Sequence, residues 1–367
     1  MRLAIALLLG LPLLARAGDG LRWRLQYFHD KERSTFVISD LKFPSPRRGI
    51  AVGAILEGSS VKPMSAITSD GGEHWSQVPL QEPGVSLFFL NDSLGWMVTT
   101  KGIWRTEEAG RGWRKLKSLA GLTRVCFLDP DHGWAVGARK QFYRTANGGS
   151  DWTKAPELAD LKSSDEYTTF SVIEFAGKDQ GIAAGWSQSP RRSRQDLPDW
   201  LDPESAALRR ERPHLAVSLE TTDGGKTWKP SAASTFGRTT AIRFSSDGWG
   251  LGLVEYTGSF EWPAEVFMTD WKTHRKPRRI YREKDRKVTD VLIAAPPGPI
   301  YLGALEHQGR LQLPIPAKVK ILKSEDAVNW TEMEVDYRAV ATRVILAAAG
   351  KDELWAATDT GMILKLK

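Results

Sequence analysis

The stretch Thr221-Thr222-Asp223-Gly224-Gly225-Lys226-Thr227-Trp228 is a short turn motif that decides how the whole chain is interpreted. It recurs as Thr68-Ser69-Asp70-Gly71-Gly72-Glu73-His74-Trp75, and with an asparagine in place of the aspartate at residues 145–152. Degenerate copies of the same motif occupy residues 106–113, 268–271 and 324–330. A motif that returns this often indicates a repeat architecture.

Each residue type in the motif has a physical reason to be there. A glycine pair adopts positive φ at little cost, which a tight reversal between two strands requires. An aspartate or asparagine side chain accepts backbone N–H bonds inside such a turn, and the threonine hydroxyl adds another local bond. The closing tryptophan begins an outer strand and can bury its ring between neighbouring sheets. We therefore predict structural, non-catalytic roles for the best-preserved motif residues: Asp70, Trp75, Trp113, Asn147, Trp152, Asp223 and Trp228.

The spacing of the motifs gives the period of the repeat. Trp75 and Trp113 are 38 residues apart, and Trp113 and Trp152 are 39 residues apart. A second motif, an apolar strand of the type G-W-x-V-G, also occurs once per unit. Its copies begin at Gly49, Gly95, Gly133, Gly181 and Gly248, with degenerate versions at Tyr301 and Leu354. Seven units of about 40 residues, with about four strands each, predict an all-β fold, a seven-bladed β-propeller.

The two ends of the chain are expected to complete one blade together. Strands are predicted at residues 344–348, 353–357 and 362–367, which leaves the last unit one strand short. Leu21-Arg22-Trp23-Arg24-Leu25 is predicted to supply the missing outer strand. Pairing of the N-terminal and C-terminal strands would close the ring and remove an exposed sheet edge.

Residues 1–17 are predicted to be a signal peptide. Arg2 is positively charged, residues 3–14 form an apolar run, and Ala15-Arg16-Ala17 fits a cleavage site. The run is shorter than the about 20 residues of a membrane span, and no cysteine follows it for a lipid anchor. We therefore expect a single propeller domain over residues 18–367 that is secreted or periplasmic and monomeric.

The composition excludes several kinds of site. The 367 residues include one cysteine, Cys126, which excludes an intramolecular disulfide and a cysteine-based zinc site. The six histidines are scattered and show no metal-binding spacing. Neither a phosphate-binding glycine loop nor a Gly-x-Ser-x-Gly turn is present. We therefore expect no cofactor and no metal.

The motifs together resemble a known protein family. The tryptophan-ended turns are Asp-box (BNR-type) repeats. Their combination with glycine-tryptophan strands, as in FLDPDHGWAVG at residues 127–137, resembles the photosystem II assembly and stability factor (Ycf48-like) family. The similarity covers most of the chain after residue 17. It implies a seven-bladed propeller that binds other proteins, often during assembly at a membrane.

Two basic segments are candidates for binding a partner. One, about residues 187–213, interrupts the fourth unit between its second and third strands and is predicted to contain a short helix. The other, residues 272–287, is predicted to link units five and six. In a propeller, loops at these two places share one face, and loops carry function on a rigid scaffold. The arginines that we expect to bind the partner are Arg191, Arg192, Arg194, Arg209, Arg210, Arg212, Arg275, Arg278, Arg279 and Arg282.

Arginine side chains bind carboxylates in a bidentate manner, so this face is predicted to bind an acidic peptide or a membrane-protein segment. A solvated charge run is the alternative interpretation. The predicted binding face is also compatible with peripheral membrane association. Nucleic acid is not expected as a partner, because no nucleic-acid motif accompanies the charge. The predicted function is a non-catalytic binding or assembly scaffold.

The runner-up function is a glycoside hydrolase of the sialidase-like or xyloglucanase-like Asp-box type. Such an enzyme needs two carboxyl groups about 5 to 10 Å apart. Candidates in channel-side loops are Asp165, Glu166, Asp196, Asp199, Asp202 and Glu204.

Overall fold

The computed structural model describes residues 20–189, 213–256, 260–271, 276–294, 298–306, 315–350 and 353–367. These residues form 29 β-strands and one short 3-10 helix, Pro156–Ala159, so the fold is all-β as predicted. The signal peptide predicted at residues 1–17 lies outside the described residues, as do residues 190–212 of the insert at about 187–213, in which a short helix was predicted.

Five blades are separate four-stranded antiparallel sheets with the simple order of consecutive strands. Blade 1 contains β2 (Ser34–Ser45), β3 (Arg48–Glu57), β4 (Ser60–Thr68) and β5 (Ser76–Pro79). Blade 2 contains β6 (Gly84–Phe89), β7 (Gly95–Thr99), β8 (Ile103–Thr106) and β9 (Arg114–Lys117). Blade 3 contains β10 (Leu122–Phe127), β11 (His132–Gly137), β12 (Gln141–Ala146) and β13 (Thr153–Lys154). Blade 4 contains β14 (Thr168–Ala176), β15 (Gln180–Ser187), β16 (His214–Thr221) and β17 (Lys229–Thr235). Blade 5 contains β18 (Arg238–Phe244), β19 (Trp249–Glu255), β20 (Ala264–Asp270) and β21 (Arg278–Tyr281).

The remaining strands form one nine-stranded sheet, so five separate blades are present instead of the seven predicted. Its strands are β1 (Arg22–Phe28), β22 (Arg286–Ile293), β23 (Ile300–Glu306), β24 (Ala317–Ser324), β25 (Thr331–Val335), β26 (Val340–Ala341), β27 (Val344–Ala348), β28 (Leu354–Thr358) and β29 (Met362–Leu366). The main path of the sheet runs β22-β23-β24-β25-β1-β29-β28-β27, and β26 pairs with β24. The physical reason is a short parallel pairing of β25 with β1, Arg22 opposite Glu334 and Trp23 opposite Val335, which joins the last two units.

The N-terminal strand closes the ring by pairing with the C-terminal strand, as the sequence predicted. β1 lies antiparallel to β29, with Trp23 opposite Leu366 and Phe28 opposite Met362. Trp23 is buried in the core shared by the last strands. The innermost strands contact one another in a circle, in the order β2, β6, β10, β14, β18, β22, β27 and back to β2.

The ring has two faces, which we name by their loops. The Asp-box face carries the turns between the first and second strands and between the third and fourth strands of each blade. The inter-blade face carries the loops between second and third strands and the connections from one blade to the next. This assignment follows from the alternating strand directions of an antiparallel meander.

Six innermost strands carry a β-bulge at the same place, and the bulged residues face the central channel. The register shifts are at Ile38/Asp40, Gly84/Ser86, Leu122/Arg124, Phe170/Val172, Thr239/Ala241 and Val288/Asp290. The bulged residues Ser39, Val85, Thr123, Ser171, Thr240 and Thr289 all line one cavity in the channel. Bulges leave a residue out of the ladder and re-aim side chains.

Freed from the ladder, these polar groups bond to the next sheet. Thr123 Oγ1 donates to Phe170 O at 2.7 Å, and Ser171 Oγ donates to Thr239 O at 2.8 Å. Side-chain hydrogen bonds therefore connect the innermost strands of neighbouring blades along the channel wall.

The Asp-box turns show the bonding that their residue types allow. Thr68 Oγ1 donates to Asp70 Oδ1 at 2.8 Å, and Asp70 Oδ1 accepts from His74 N at 3.0 Å. Asp223 makes the same pair of bonds with Thr221 and Thr227, at 2.7 and 3.0 Å.

Each well-formed turn also packs against the preceding sheet. Gly72 has a φ of 84° and lies so close to Trp355 that a methyl group there would fall 2.0 Å from the ring. Gly225, with a φ of 78°, would meet Trp134 at 2.2 Å in the same way. Glycine is required at both positions because both the backbone angle and the space exclude a side chain.

Acid should weaken the fold through these turns. Hydrogen bonds from Thr227 and Thr221 lower the pKa of Asp223 to about 2, and the bonds from His74 and Thr68 lower the pKa of Asp70. A carboxylate with a lowered pKa stabilises the fold above its unfolded pKa, near 4, and loses this contribution as the pH falls toward its folded value.

We therefore expect the urea midpoint to drop between about pH 5 and about pH 3. The variant Asp223→Asn should make this drop smaller, since Asn147 shows that asparagine fits the turn. An unchanged pH dependence in the variant would contradict the assignment.

Candidate partner-binding face

The inter-blade face exposes large apolar side chains. Eight large hydrophobic residues are exposed in the described part of the chain, and six of them lie in or beside loops of this face. These six are Phe28, Leu56, Val61, Phe236, Ile315 and Tyr337. Exposed apolar side chains concentrated on one face are typical of an interaction surface.

The central channel opens on the same face with a cationic rim. A cavity of about 380 Å³ lies at this mouth. Arg343 is exposed at its edge, and Lys287 pairs with Glu255 at 3.5 Å. Arg238 lies over the Trp186 ring, 5.3 Å from its centroid, and donates to the Gln188 side chain. Since Gln188 leads out of β15, this contact ties the base of the basic insert to the channel mouth.

Deeper in the channel, charged side chains from different sheets pair with one another. A cavity of about 370 Å³ shares Arg124, Ser171 and Thr240 with the one at the mouth. Arg124 lies 3.6 Å from Asp40 Oδ2, and Arg243 lies 3.2 Å from Asp290 Oδ1. These pairs hold the inner strands together and place guanidinium groups along the channel.

The carboxyl groups in the channel are held mainly by structural bonds. Asp40 accepts from Leu41 N at 2.9 Å and from Leu87 N at 2.8 Å. Burial by itself raises the pKa of Asp40. Lys42, Arg124 and the two backbone bonds lower this pKa by more than burial raises it, so the net shift is downward. Glu174 differs, because burial raises its pKa and the nearby arginines and Lys42 compensate only in part.

A second cluster on this face combines aromatic rings with arginines. Arg282 lies over the Trp262 ring at 4.1 Å, and Lys284 lies 5.3 Å from the same ring. Arg282 and Arg279 also pair with the nearly buried Glu265, at 3.2 and 3.3 Å. Both arginines are therefore already neutralised in part by the fold.

The structure separates the predicted arginines of the second basic segment. Because β20 ends at Asp270 and β21 begins at Arg278, the connection between them is a third-to-fourth-strand connection on the Asp-box face. Only residues 282–285 link blade 5 to the following strand, β22. The prediction that all of residues 272–287 lie on the inter-blade face was wrong, since the segment contains the outer strand β21. Arg275 lies outside the described residues.

Only the two ends of the first basic segment belong to the described residues. β15 ends at Ser187 and β16 begins at His214, so the insert is a second-to-third-strand connection on the inter-blade face. Its six arginines, residues 191, 192, 194, 209, 210 and 212, fall outside the described residues.

Sequence reasoning missed four arginines at the channel: Arg124, Arg238, Arg243 and Arg343. Each is a single arginine at the beginning of, or within, an innermost strand, so no run of charge marks it. A basic residue at or beside a bulge of an inner strand is the signal that could have found Arg124.

Among the described residues, no group of three or more His, Cys, Asp or Glu side chains could hold a metal ion. Of the hydrolase candidates, Asp165 pairs with the buried Lys140 at 3.0 Å. Asp196, Asp199, Asp202 and Glu204 lie outside the described residues.

Comparisons with known proteins bear directly on this architecture. Residues 114–187, from the outer strand of blade 2 to the second strand of blade 4, match the family model for the photosynthesis system II assembly factor YCF48. This chain is Ycf48-like. Curated relatives agree: the "Photosystem II assembly lipoprotein Ycf48" of Synechococcus sp. (strain CC9902) is 28% identical over 44% of this chain and 51% of its own length. That of Nostoc sp. (strain PCC 7120) is 24% identical over 67% of this chain and 73% of its own length.

A solved structure shares the fold of the Ycf48-like chain. "YCF48 bound to D1 peptide" superposes with a TM-score of 0.57 at 15% identity, covering 92% of this chain and 98% of that one. The match to the Synechococcus relative spans about half the length of that protein. No helix in the described part of the Ycf48-like chain is long and apolar enough to cross a membrane.

Proposed function

We propose that this Ycf48-like protein is a non-catalytic assembly scaffold whose inter-blade face binds an acidic, partly apolar segment of a protein partner. One observation carries the proposal. The exposed apolar residues and the cationic mouth of the channel lie on the same face, where the basic insert is also attached. Apolar contacts supply affinity, while arginines select carboxylates and guide the encounter.

The relatives support this kind of partner. The structural neighbour was solved with a D1 peptide, and the curated relatives are called photosystem II assembly lipoproteins. A peptide segment of a membrane protein is therefore the class of partner that we propose for this chain.

We further infer that residues 18–367 act as one domain outside the cytoplasm after removal of the signal peptide, as a monomer that meets its partner at a membrane surface. The nine-stranded sheet would then count as two blades. β22–β25 form one half and β27–β29 with β1 form the other, in line with the closed circle of seven innermost strands.

The test compares charge reversals on the two faces. One variant combines Arg343→Glu at the channel mouth on the inter-blade face with Arg209→Glu and Arg210→Glu in the basic insert, whose flanking strands end at that face. The matched control combines Arg47→Glu, Arg111→Glu and Arg114→Glu, which are exposed on the Asp-box face. The probe is a labelled synthetic peptide of alternating glutamate and leucine residues, measured by fluorescence anisotropy at two salt concentrations.

We expect the inter-blade variant to bind the peptide at least ~10-fold more weakly, and the control to stay within ~2-fold. Binding should weaken with added salt because the contacts are exposed ion pairs. Equal losses in both variants would show non-specific charge attraction and would contradict the proposal. If the inter-blade variant alone loses binding, cross-linking in a native envelope extract would identify the natural partner.

A further inference from the structure

A large cavity lies on the Asp-box face, at the seam between blades 3 and 4. Its volume is about 610 Å³, within the range of small-molecule sites. Leu128 and the Trp134 ring supply apolar lining, and Arg144 and Lys226 are the cations that line it. Gly224 and Gly225 of the blade 4 turn form the opposite wall.

The equivalent seam between blades 2 and 3 is filled by an arginine. Arg105, the counterpart of Arg144, pairs with Glu107 at 3.0 Å and lies over the Trp96 ring. A methyl group at Gly148 would fall 2.5 Å from Arg105 Nη1, so this side chain packs against the turn of blade 3. Trp96 Nε1 donates to Gly148 O at 3.0 Å, which completes the closed seam.

The seam between the last sheet and blade 1 is filled in the same manner. Lys365 donates to Gly71 O at 3.3 Å, pairs with Glu353 at 2.6 Å and lies over the Trp355 ring. In both seams, the cation on the third strand therefore bridges to the turn of the next blade and has an acidic partner.

Arg144, by contrast, neither contacts the turn of blade 4 nor has an acidic partner. A methyl group at Gly224 would meet only Lys178 O within 4 Å, so the Arg144 side chain does not pack there. The Arg144 guanidinium makes no hydrogen bond or ion pair among the described residues. The sequence explains this, because Ala146 stands where Glu107 stands in the preceding blade.

The tryptophan at the base of the cavity also has an unused donor. Trp134 is 5% exposed and its Nε1 has no hydrogen-bond partner among the described residues. A buried N–H without an acceptor is costly, so this seam is less completely bonded than the seam between blades 2 and 3, where Trp96 Nε1 has Gly148 O as its acceptor.

The acidic groups of the cavity are already satisfied. Asp129 Oδ1 accepts from Asp131 N and His132 N, both at 2.8 Å, and its Oδ2 lies 2.9 Å from His132 Nδ1. Asp151 Oδ2 accepts from Asn147 Nδ2, and its Oδ1 lies 3.5 Å from Lys117. The uncompensated charges in the cavity are therefore those of Arg144 and the exposed Lys226, and the group that they would bind is an anion.

From this geometry we propose that the seam cavity is a binding site for a small carboxylate with a flat apolar body, such as an aromatic acid. The guanidinium would bind the carboxylate, and the ring of the ligand would lie against Trp134 and Leu128. A planar carboxylate matches the guanidinium fork, and an aromatic ring packs well against the indole. This site lies on the face opposite to the proposed partner-binding face and is independent of it.

The experiment measures 2-naphthoate binding to the full chain by isothermal titration calorimetry, with the neutral naphthalene-2-carboxamide and inorganic phosphate as comparison ligands. Arg144→Gln should weaken naphthoate binding at least ~10-fold. Ala146→Glu should weaken it equally, because the new carboxylate would pair with Arg144 as Glu107 pairs with Arg105. The amide should bind more weakly than naphthoate.

Arg105→Gln, in the filled seam, is the matched control and should change binding less than ~2-fold. Thermal unfolding verifies that each variant is folded, and Ala146→Glu keeps the test valid if Arg144→Gln is unstable. The proposal is overturned if naphthoate does not bind, if phosphate binds in its place, or if the two cavity variants bind as well as the unmodified chain.

Discussion

Trp96→Ala is expected to lower the free energy of unfolding by about 3–5 kcal/mol, the largest effect that we predict for a single side chain. Trp96 is fully buried in β7, between blade 2 and blade 3. Its ring stacks on Phe127 with a centroid distance of 3.6 Å and an interplanar angle of 9°. The substitution would open a cavity between the two sheets and leave Gly148 O without its donor.

Trp96→Phe is the matched variant, since it keeps an aromatic ring but removes the Nε1 donor. The lost bond should cost about 1 kcal/mol, in addition to a smaller packing loss. Urea unfolding followed by fluorescence and circular dichroism would measure both variants. A loss below about 1 kcal/mol for Trp96→Ala would show that the seam does not hold the ring together.

Asp40→Ala is expected to lower the free energy of unfolding by about 2–4 kcal/mol, because it removes a buried carboxylate that accepts two backbone N–H bonds and pairs with two partly exposed cations. Asp40 is 3% exposed and connects two innermost strands through its bond from Leu87 N. Without the carboxylate, that N–H loses its acceptor, and Arg124 and Lys42 lose their partner at 3.6 and 3.5 Å. All three losses act on the channel wall.

Asp40→Asn separates the charge from the shape of the side chain. The asparagine can keep one backbone bond but removes the charge. We therefore expect Asp40→Asn to lower the free energy of unfolding by less than Asp40→Ala does. The double variant Asp40→Ala with Arg124→Met should recover part of the loss, because the partly buried Arg124 guanidinium is then no longer left without its partner. Strictly additive losses, measured by urea unfolding, would contradict a coupled pair.

These two predictions concern the rigid part of the molecule, and the two proposed sites depend on that rigidity. The inter-blade face presents its loops at fixed positions because the inner strands are bonded from sheet to sheet. The seam cavity exists because Arg144 does not pack against the turn of blade 4 in the way that Arg105 packs against the turn of blade 3. Binding is thus assigned to loops and gaps, and stability to the strands and turns.

Much of the architecture could be predicted from the chain, but the site could be predicted only in part. The repeats indicated the propeller and the closing role of residues 21–25 because each unit carries the same local pattern. The prediction for the basic insert rests on its position within a unit, and the strand ends that flank it, Ser187 and His214, lie at the inter-blade face. The second basic segment was misplaced because the turn motif at residues 268–271 is degenerate and so did not indicate the outer strand Arg278–Tyr281 that follows it.

The sequence by itself determined the Asp-box turns and hence the class of fold. A turn such as Thr221–Trp228 is bonded among residues two to four positions apart, so its chemistry can be read locally. Only the tertiary structure decided which charges meet in the channel and which seam stays open. Arg124 and Asp40, or Arg144 and Gly224, come from different sheets, and their separation depends on how the sheets twist and pack around the ring, which no local pattern encodes.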